Sequence, residues 1–224
     1  RHTRYWRDWS SDVCSSDLSV ISDLLHKYHI IIKGVLHIGA HECEEKGFYN
    51  DDLHIHDDAI LWIDGNLTKV EEMKQKGCTT IYHAVVDETE RNIIFNITDN
   101  SQASSILTLN HEDGFYNNIN IIQQVECKTE TLPQFFKRIH KSLYPYNFWN
   151  LDIQGMELAV LKGANELLEH CDAIYTEVNQ EHVYHQCGLI DELDEFLAQH
   201  HFKRVHTVWT DVKWGDALYV KTKV

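Results

Sequence analysis

The residues able to do chemistry fall at the ends of apolar runs. Gly34-Val35-Leu36-His37-Ile38 leads into Gly39-Ala40-His41, and three carboxylates, Glu42, Glu44 and Glu45, follow at once. A carboxylate closes the run Ala59-Ile60-Leu61-Trp62-Ile63-Asp64, and another closes Phe148-Trp149-Asn150-Leu151-Asp152, ahead of Ile153-Gln154-Gly155. An apolar run broken by glycine and followed by charged residues reads as strand, tight turn, helix. In an open α/β sheet such turns sit at the carboxyl ends of strands, where nucleotide-like ligands are held.

The turn at Gly39 limits which ligand that is. A pyrophosphate needs G-x-G-x-x-G, so that bare backbone can approach it. Here the two later glycine places fall on His41 and Glu44, and the carboxylates nearby would repel phosphate. An NAD-dependent dehydrogenase therefore fits Asp64 but fails at the turn. S-adenosylmethionine has an adenosine, no phosphate and net positive charge, so an acidic turn suits it. Asp64 lies at about the 20-residue spacing from the turn at which a second-strand carboxylate accepts the ribose hydroxyls. The alternatives are an ordinary strand-to-helix connection at Gly39 and a plain helix cap at Asp64. Asp152 would face the reacting centre, orienting an acceptor hydroxyl and drawing off its proton, with His41 as the second candidate base. Its alternative role is a cap for the helix that starts near Met156.

The whole chain narrows the class further. At 224 residues it has the length of one well-buried α/β domain. A net charge of -15 argues against nucleic acid or an anionic membrane as the partner, because both need clustered Lys and Arg. The expected partner is a small-molecule or glycan acceptor, and the sequence does not give the oligomeric state. No stretch approaches the roughly 20 apolar residues of a membrane span, and a cytoplasmic protein is expected. Six cysteines without a C-x-x-C pair read as free thiols. The sixteen histidines show no metal-ligand spacing: His37 and His41 are separated by a turn, and His182 and His185 lack a matching Glu or Cys. No metal is expected.

The elements follow from periodicity. Residues Arg1 to Leu18 carry no helical or strand period and contain Ser-Asp-Val-Cys-Ser-Ser-Asp-Leu, similar to translated sequencing adapter; they read as a non-native, disordered leader to a single domain over 19–224. A helix is expected from Ser19 with Leu24, Leu25 and Tyr28 inward, and another over Glu42 to Phe48. Further helices are expected over Thr68–Lys76, Thr131–Lys141, Met156–Leu168 and Ile190–His200. Strands alternate with these, at Thr80–Val86, Ala173–Val178, Lys203–Trp209 and Ala217–Lys221 besides the three runs above. Ile93–Ile97 and Val125–Thr129 form a hairpin around a polar loop. Such alternation means a mostly parallel sheet with helices on both faces.

Taken in succession, Val-Leu-His-Ile-Gly-Ala-His-Glu-Cys-Glu-Glu, Leu-Trp-Ile-Asp-Gly-Asn, Ser-Ser-Ile, Leu-Asp-Ile-Gln-Gly-Met-Glu-Leu-Ala-Val-Leu-Lys-Gly-Ala, Glu-Val-Asn and Trp-Gly-Asp-Ala-Leu-Tyr-Val resemble the FkbM family of S-adenosylmethionine-dependent methyltransferases, over about Gly34 to Val220. The resemblance implies the Rossmann-like class I methyltransferase sheet of seven strands, order 3-2-1-4-5-7-6 with the last strand antiparallel, and O-methylation of a hydroxyl, often on a sugar. It places Gly39, Ala40 and His41 beside the methionine half of the cofactor, Asp64 at the ribose, and Val86 with Asp87 at the adenine edge. Ser104 and Ser105 match the family's Ser-Ser loop, and Asp152 with Gln154 its fourth-strand motif. His37 stands where an acidic residue commonly opens the first motif, and Cys43 at the second glycine place. A non-catalytic domain that binds cofactor or partner through the same fold is the reading from a different class.

Overall fold

A computed structural model describes residues 14–111 and 118–222. Most of the expected leader, residues 1–13, lies outside the described residues, while its last part, from Cys14, already belongs to the helix α1 (Cys14–Lys27). Ile21 and Leu25, four apart on one helical face, are buried. Tyr28, expected inward, is 37% exposed, because the helix stops at Lys27 and His29 turns left-handed at φ 55°.

The strands are β1 (Val35–Ile38), β2 (Ile60–Asp64), β3 (Ile81–His83), β4 (Asn92–Thr98), β5 (Ile121–Lys128), β6 (Phe148–Leu151), β7 (Ala173–Asn179), β8 (Phe202–Trp209) and β9 (Trp214–Lys221). Seven of them form one sheet in the order β3-β2-β1-β6-β7-β9-β8, and β4 with β5 forms a separate antiparallel hairpin. Leaving the hairpin out of the count, this is the order 3-2-1-4-5-7-6. β1, β2, β3, β6 and β7 are parallel, while β9 runs antiparallel to both its neighbours.

Each inner strand is buried on both faces, so alternate residues enter two different cores. Leu36, Leu61, Trp149, Ile174 and Tyr219 pack under α3 (Leu132–Arg138), α4 (Glu157–Ala164) and α5 (Ile190–Gln199). Val35, Trp62, Phe148, Tyr175 and Leu218 pack on the other side with α1, Tyr49 and Val70 of α2 (Leu67–Gln75). Full burial of one such Leu or Val contributes about 1.5 to 3 kcal/mol, so these pairs fix the strand register.

One element departs from expectation near the site. The helix expected over Glu42 to Phe48 begins late: the chain makes irregular turns through His41 (φ 39°) and Cys43 (φ 57°), becomes helical at Lys46, and widens to a π-helix over Phe48–Asp52. The two left-handed residues delay the helix, which starts only at Lys46. α2, by contrast, begins on Asn66, whose side-chain oxygen accepts from the Thr68 N–H at 3.1 Å. Thr131 and Gln134 make a reciprocal capping box for α3.

Candidate active site

The carboxyl ends of β1, β2, β6 and β7 open into one cleft. Its floor is Gly39, Asp64, Asp152 and Glu177; its roof is the hairpin connection at Ser101 to Ile106 with Phe95; Trp214 and Asp216 of β9 close one end. Gly39, at φ 93°, is required here: a Cβ would lie 1.7 Å from the backbone oxygen of Asp152. The ends of β1 and β6 thus abut, with the Asp152 N–H donating to the Ile38 oxygen at 2.9 Å.

Asp64 ties the first half of the cleft together. Its two carboxylate oxygens accept from the backbone N–H of His41 at 2.7 Å and of Asn66 at 2.6 Å. The helix cap is Asn66, so Asp64 is left facing the cleft, where each oxygen keeps a second lone pair. Burial pushes its pKa up, and the two N–H groups pull it back. His41 spans the mouth: Nδ1 bonds Glu44 at 2.7 Å and Nε2 bonds Ser101 at 2.8 Å. Burial opposes its charge, but the hydrogen bond and charge of Glu44 outweigh that, and its pKa lies above the usual value. Of the three carboxylates after the turn, Glu44 and Glu45 line the cleft, while Glu42 is held by Lys69 of α2 at 2.6 Å.

The second half is a chain of acids. Gln154 Nε2 donates to Asp152 at 2.6 Å and to Glu177 at 2.9 Å, and Asn179 donates to Glu177 at 3.4 Å. Asp152 is open to the cleft, yet protein surrounds its carboxyl; burial raises its pKa to about 6 against the pull of the Gln154 hydrogen bond. Burial, with the charges of Glu157, Asp152 and Asp216, lifts Glu177 well above the carboxylate range. Burial raises Glu45 to about 7. Asp152 makes no cap hydrogen bond to α4; in the turn before that helix, Glu157 Oε1 accepts from the N–H of Ile153 at 3.0 Å and of Gly155 at 3.2 Å.

Gly39, His41, Asp64, Val86, Ser105, Asp152 and Gln154 therefore meet in one cleft. Three other residues expected at the cofactor do not line it. His37 is 1% exposed beneath the turn, bonded through Nδ1 to the Tyr49 hydroxyl at 2.8 Å and stacked on Trp62 at 4.8 Å; burial lowers its pKa to about 4 and keeps it neutral. Ala40 is buried in the core on the α1 side. Asp87 is turned to Arg91, whose Nε donates to it at 2.6 Å, and to the Glu88 N–H. Ser105 acts as a strut: its hydroxyl donates to the Gln154 backbone oxygen at 2.9 Å. The sequence gives no local signal for Phe95, Asn150 and Tyr175, aromatic or amide residues within strands, while Trp214 opens a quoted motif without having been placed at the site.

The sheet order, with its single reversed strand beside β7, and a cleft at the switch between β1 and β6 define a Rossmann-like methyltransferase fold. The chain belongs to the FkbM methyltransferase family: the family model described as "Methyltransferase FkbM domain" matches residues 36–204. Among solved structures it is similar to the methyltransferase FkbM from Methylobacillus flagellatus KT, with TM-score 0.52 and 14% identity, over 84% of this chain and 43% of that one. It is also similar to an S-adenosylmethionine-dependent methyltransferase from Clostridium acetobutylicum ATCC 824, with TM-score 0.50 and 8% identity, over 95% of this chain and 94% of that one. The chain thus spans less than half the length of the first of these. No curated protein sequence matches it.

The cofactor is S-adenosylmethionine, and the chemistry of the lining fits it. Glu44, Glu45, Asp64, Asp152, Glu177 and Asp216 line the cleft, and among the described residues no Lys or Arg does, which favours a sulfonium and an ammonium over phosphate. Asp64 has the free lone pairs a ribose needs, and Val85, Val86 and Phe95 offer an apolar slot for a purine. Among the described residues no group of three or more His, Cys, Asp or Glu could hold a metal ion, and no helix is long and apolar enough to cross a membrane.

Proposed function

We propose that this chain O-methylates a hydroxyl on a neutral small molecule, a sugar or glycan end, with Asp152 as the base. The observation that carries the reading is the Asp152 carboxyl, open to the cleft, beside the Gly39 turn and shifted to about 6. When bound, S-adenosylmethionine supplies an electrophilic methyl group. Asp152 accepts the hydrogen bond of the acceptor hydroxyl, orients it, and takes its proton as the oxygen becomes nucleophilic. A base near neutrality contributes about 10²- to 10⁴-fold, and alignment of the reacting groups about 7 to 11 kcal/mol. His41 is the second candidate, but both its ring nitrogens are engaged by Glu44 and Ser101.

The absence of Lys and Arg from the lining supports an uncharged acceptor over a phosphorylated one or a nucleic acid. Trp214 and Tyr175 supply aromatic surface of the kind sugar rings stack on. The free thiols of Cys43, Cys78, Cys127, Cys171 and Cys187 agree with a cytoplasmic setting. The test is transfer of labelled methyl from S-adenosylmethionine to a panel of free sugars, glycosides and their phosphorylated counterparts. Transfer to the free hydroxyl compounds is expected; transfer to the phosphorylated set alone overturns the acceptor reading. Cofactor binding by calorimetry with no transfer to any acceptor favours the non-catalytic binding domain.

A further inference from the structure

Tyr184 stands outside every motif of the sequence, yet it is the farthest fixed point of the acid chain. It is 1% exposed, in a small core with Ala103, Leu109, Ile119, Val183 and Cys187. That core is pinned to the hairpin connection by Asn110 N–H to the Val183 oxygen at 2.8 Å and His185 N–H to the Thr108 oxygen at 2.9 Å. From there the Tyr184 hydroxyl donates to Gln154 Oε1 at 2.5 Å.

The hydrogen-bond inventory of Gln154 gives this contact its meaning. The amide has two N–H donors, and both are spent, on Asp152 at 2.6 Å and on Glu177 at 2.9 Å. Its oxygen, on a residue 7% exposed, takes the hydroxyl of Tyr184. With the amide turned over, that oxygen would point at two carboxyl groups and its N–H groups at a hydroxyl. We propose that Tyr184 is a positioning residue for Asp152: its hydroxyl holds the Gln154 amide in the orientation that aims one N–H at the cleft carboxylate and the other at Glu177. The link runs from the hairpin core to the reacting carboxyl, so the roof of the cleft sets the basicity of its floor. This rests on Asp152 as the base only for its value to turnover; the hydrogen-bond relay itself does not depend on that reading.

The test follows the titration of Asp152 by carboxyl-carbon NMR of the full chain, with the resonance assigned through Asp152→Asn. Asp152 is faced by His37 of β1, Glu44 and Glu45 of the following turn, Glu177 of β7 and Glu157 of α4, and these stay unchanged in every variant. Tyr184→Phe keeps the ring and removes the hydroxyl; the Asp152 midpoint should rise by about one pH unit, the size of one lost hydrogen bond to an ionised group. Gln154→Met should raise it equally, and the double variant no further, since the two residues act in series. An unmoved midpoint in a folded Tyr184→Phe protein, or effects that add, overturns the relay. If Tyr184→Phe does not fold, Gln154→Met decides: an unmoved midpoint there overturns it as well. Turnover is scored separately, so normal turnover in Asp152→Asn with a shifted midpoint in Tyr184→Phe would sink the base and keep the relay.

Discussion

The two halves of the cleft hold their carboxylates in different ways. At β1 and β2, Asp64 is satisfied by two backbone N–H groups, and Glu44 by the ring of His41. At β6 and β7, Asp152 and Glu177 share one side-chain amide, close enough to repel each other's charge. Backbone donors cannot leave, so Asp64 is held as a fixed acceptor, suited to gripping a cationic ligand. A shared amide and crowded acids leave the second half able to gain or lose a proton near neutral pH. On the reading proposed above, Asp64 serves binding and Asp152 serves proton transfer, at opposite ends of one cleft.

The largest effect should come from breaking the joint between the halves. Gly39→Ala would drive a methyl group into the Asp152 carbonyl and should cost more than about 3 kcal/mol in denaturant unfolding. A wild-type unfolding midpoint would mean the strands can part there cheaply. Asp152→Asn tests the second half alone: turnover should fall about a hundredfold or more while cofactor affinity and Tm change little. Asp64→Ala tests the first: S-adenosylmethionine affinity, by calorimetry, should fall about ten- to a hundredfold, and Tm should drop too because the N–H groups of His41 and Asn66 lose their acceptor. Unchanged affinity would leave Asp64 as a turn strut only.

The smallest effect is on stability against pH, and its sign is unusual for carboxylates. Glu157 is raised from 4.5 to about 7 by burial, as is Glu45, so around pH 7 the folded chain holds protons the unfolded chain has lost. Their contribution is lost as pH rises through 7, and His41, also raised, acts in the same direction. Tm should therefore climb by a few degrees, roughly, between pH 8 and 6.5. The climb should continue below 6.5 towards pH 5, because the unfolded carboxyls bind their protons only near 4.5, and His37, lowered to about 4, offsets one raised acid and no more. Glu157→Gln, which keeps an acceptor for Ile153 and Gly155, should reduce the slope; a Tm that instead rises steadily towards pH 8 would contradict the raised acids.

The sequence was most legible where the signal is local. An apolar run ending in glycine or aspartate locates Gly39, Asp64 and Asp152, because strand ends in a parallel sheet are marked by the residues themselves. His37 was misjudged for the opposite reason: its partners Tyr49 and Trp62 come from 12 and 25 positions away, and only the fold brings them to its ring. Asp87 was read as facing the adenine, but Arg91, four residues on in the same connection, claims it. The late helix after Gly39 shows how backbone geometry can override composition: the left-handed His41 and Cys43 hold back to Lys46 a helix that the charges favour from Glu42. Tyr184 has no sequence signal, since its contact with Gln154 spans 30 positions.

Alternation along the strands carries one more consequence. Within β1, β2, β6 and β7, the polar residues His37, Asp64, Asn150 and Glu177 all fall on the same parity as the residues packed towards α1 and α2. Each strand therefore has a reading frame of two. Adding or removing one residue inside any of the four would swap its polar side chain towards the core beneath α3, α4 and α5, and turn an apolar residue of that core to the opposite face. The connections carry no such frame, so a change of length there turns no strand residue to the other face.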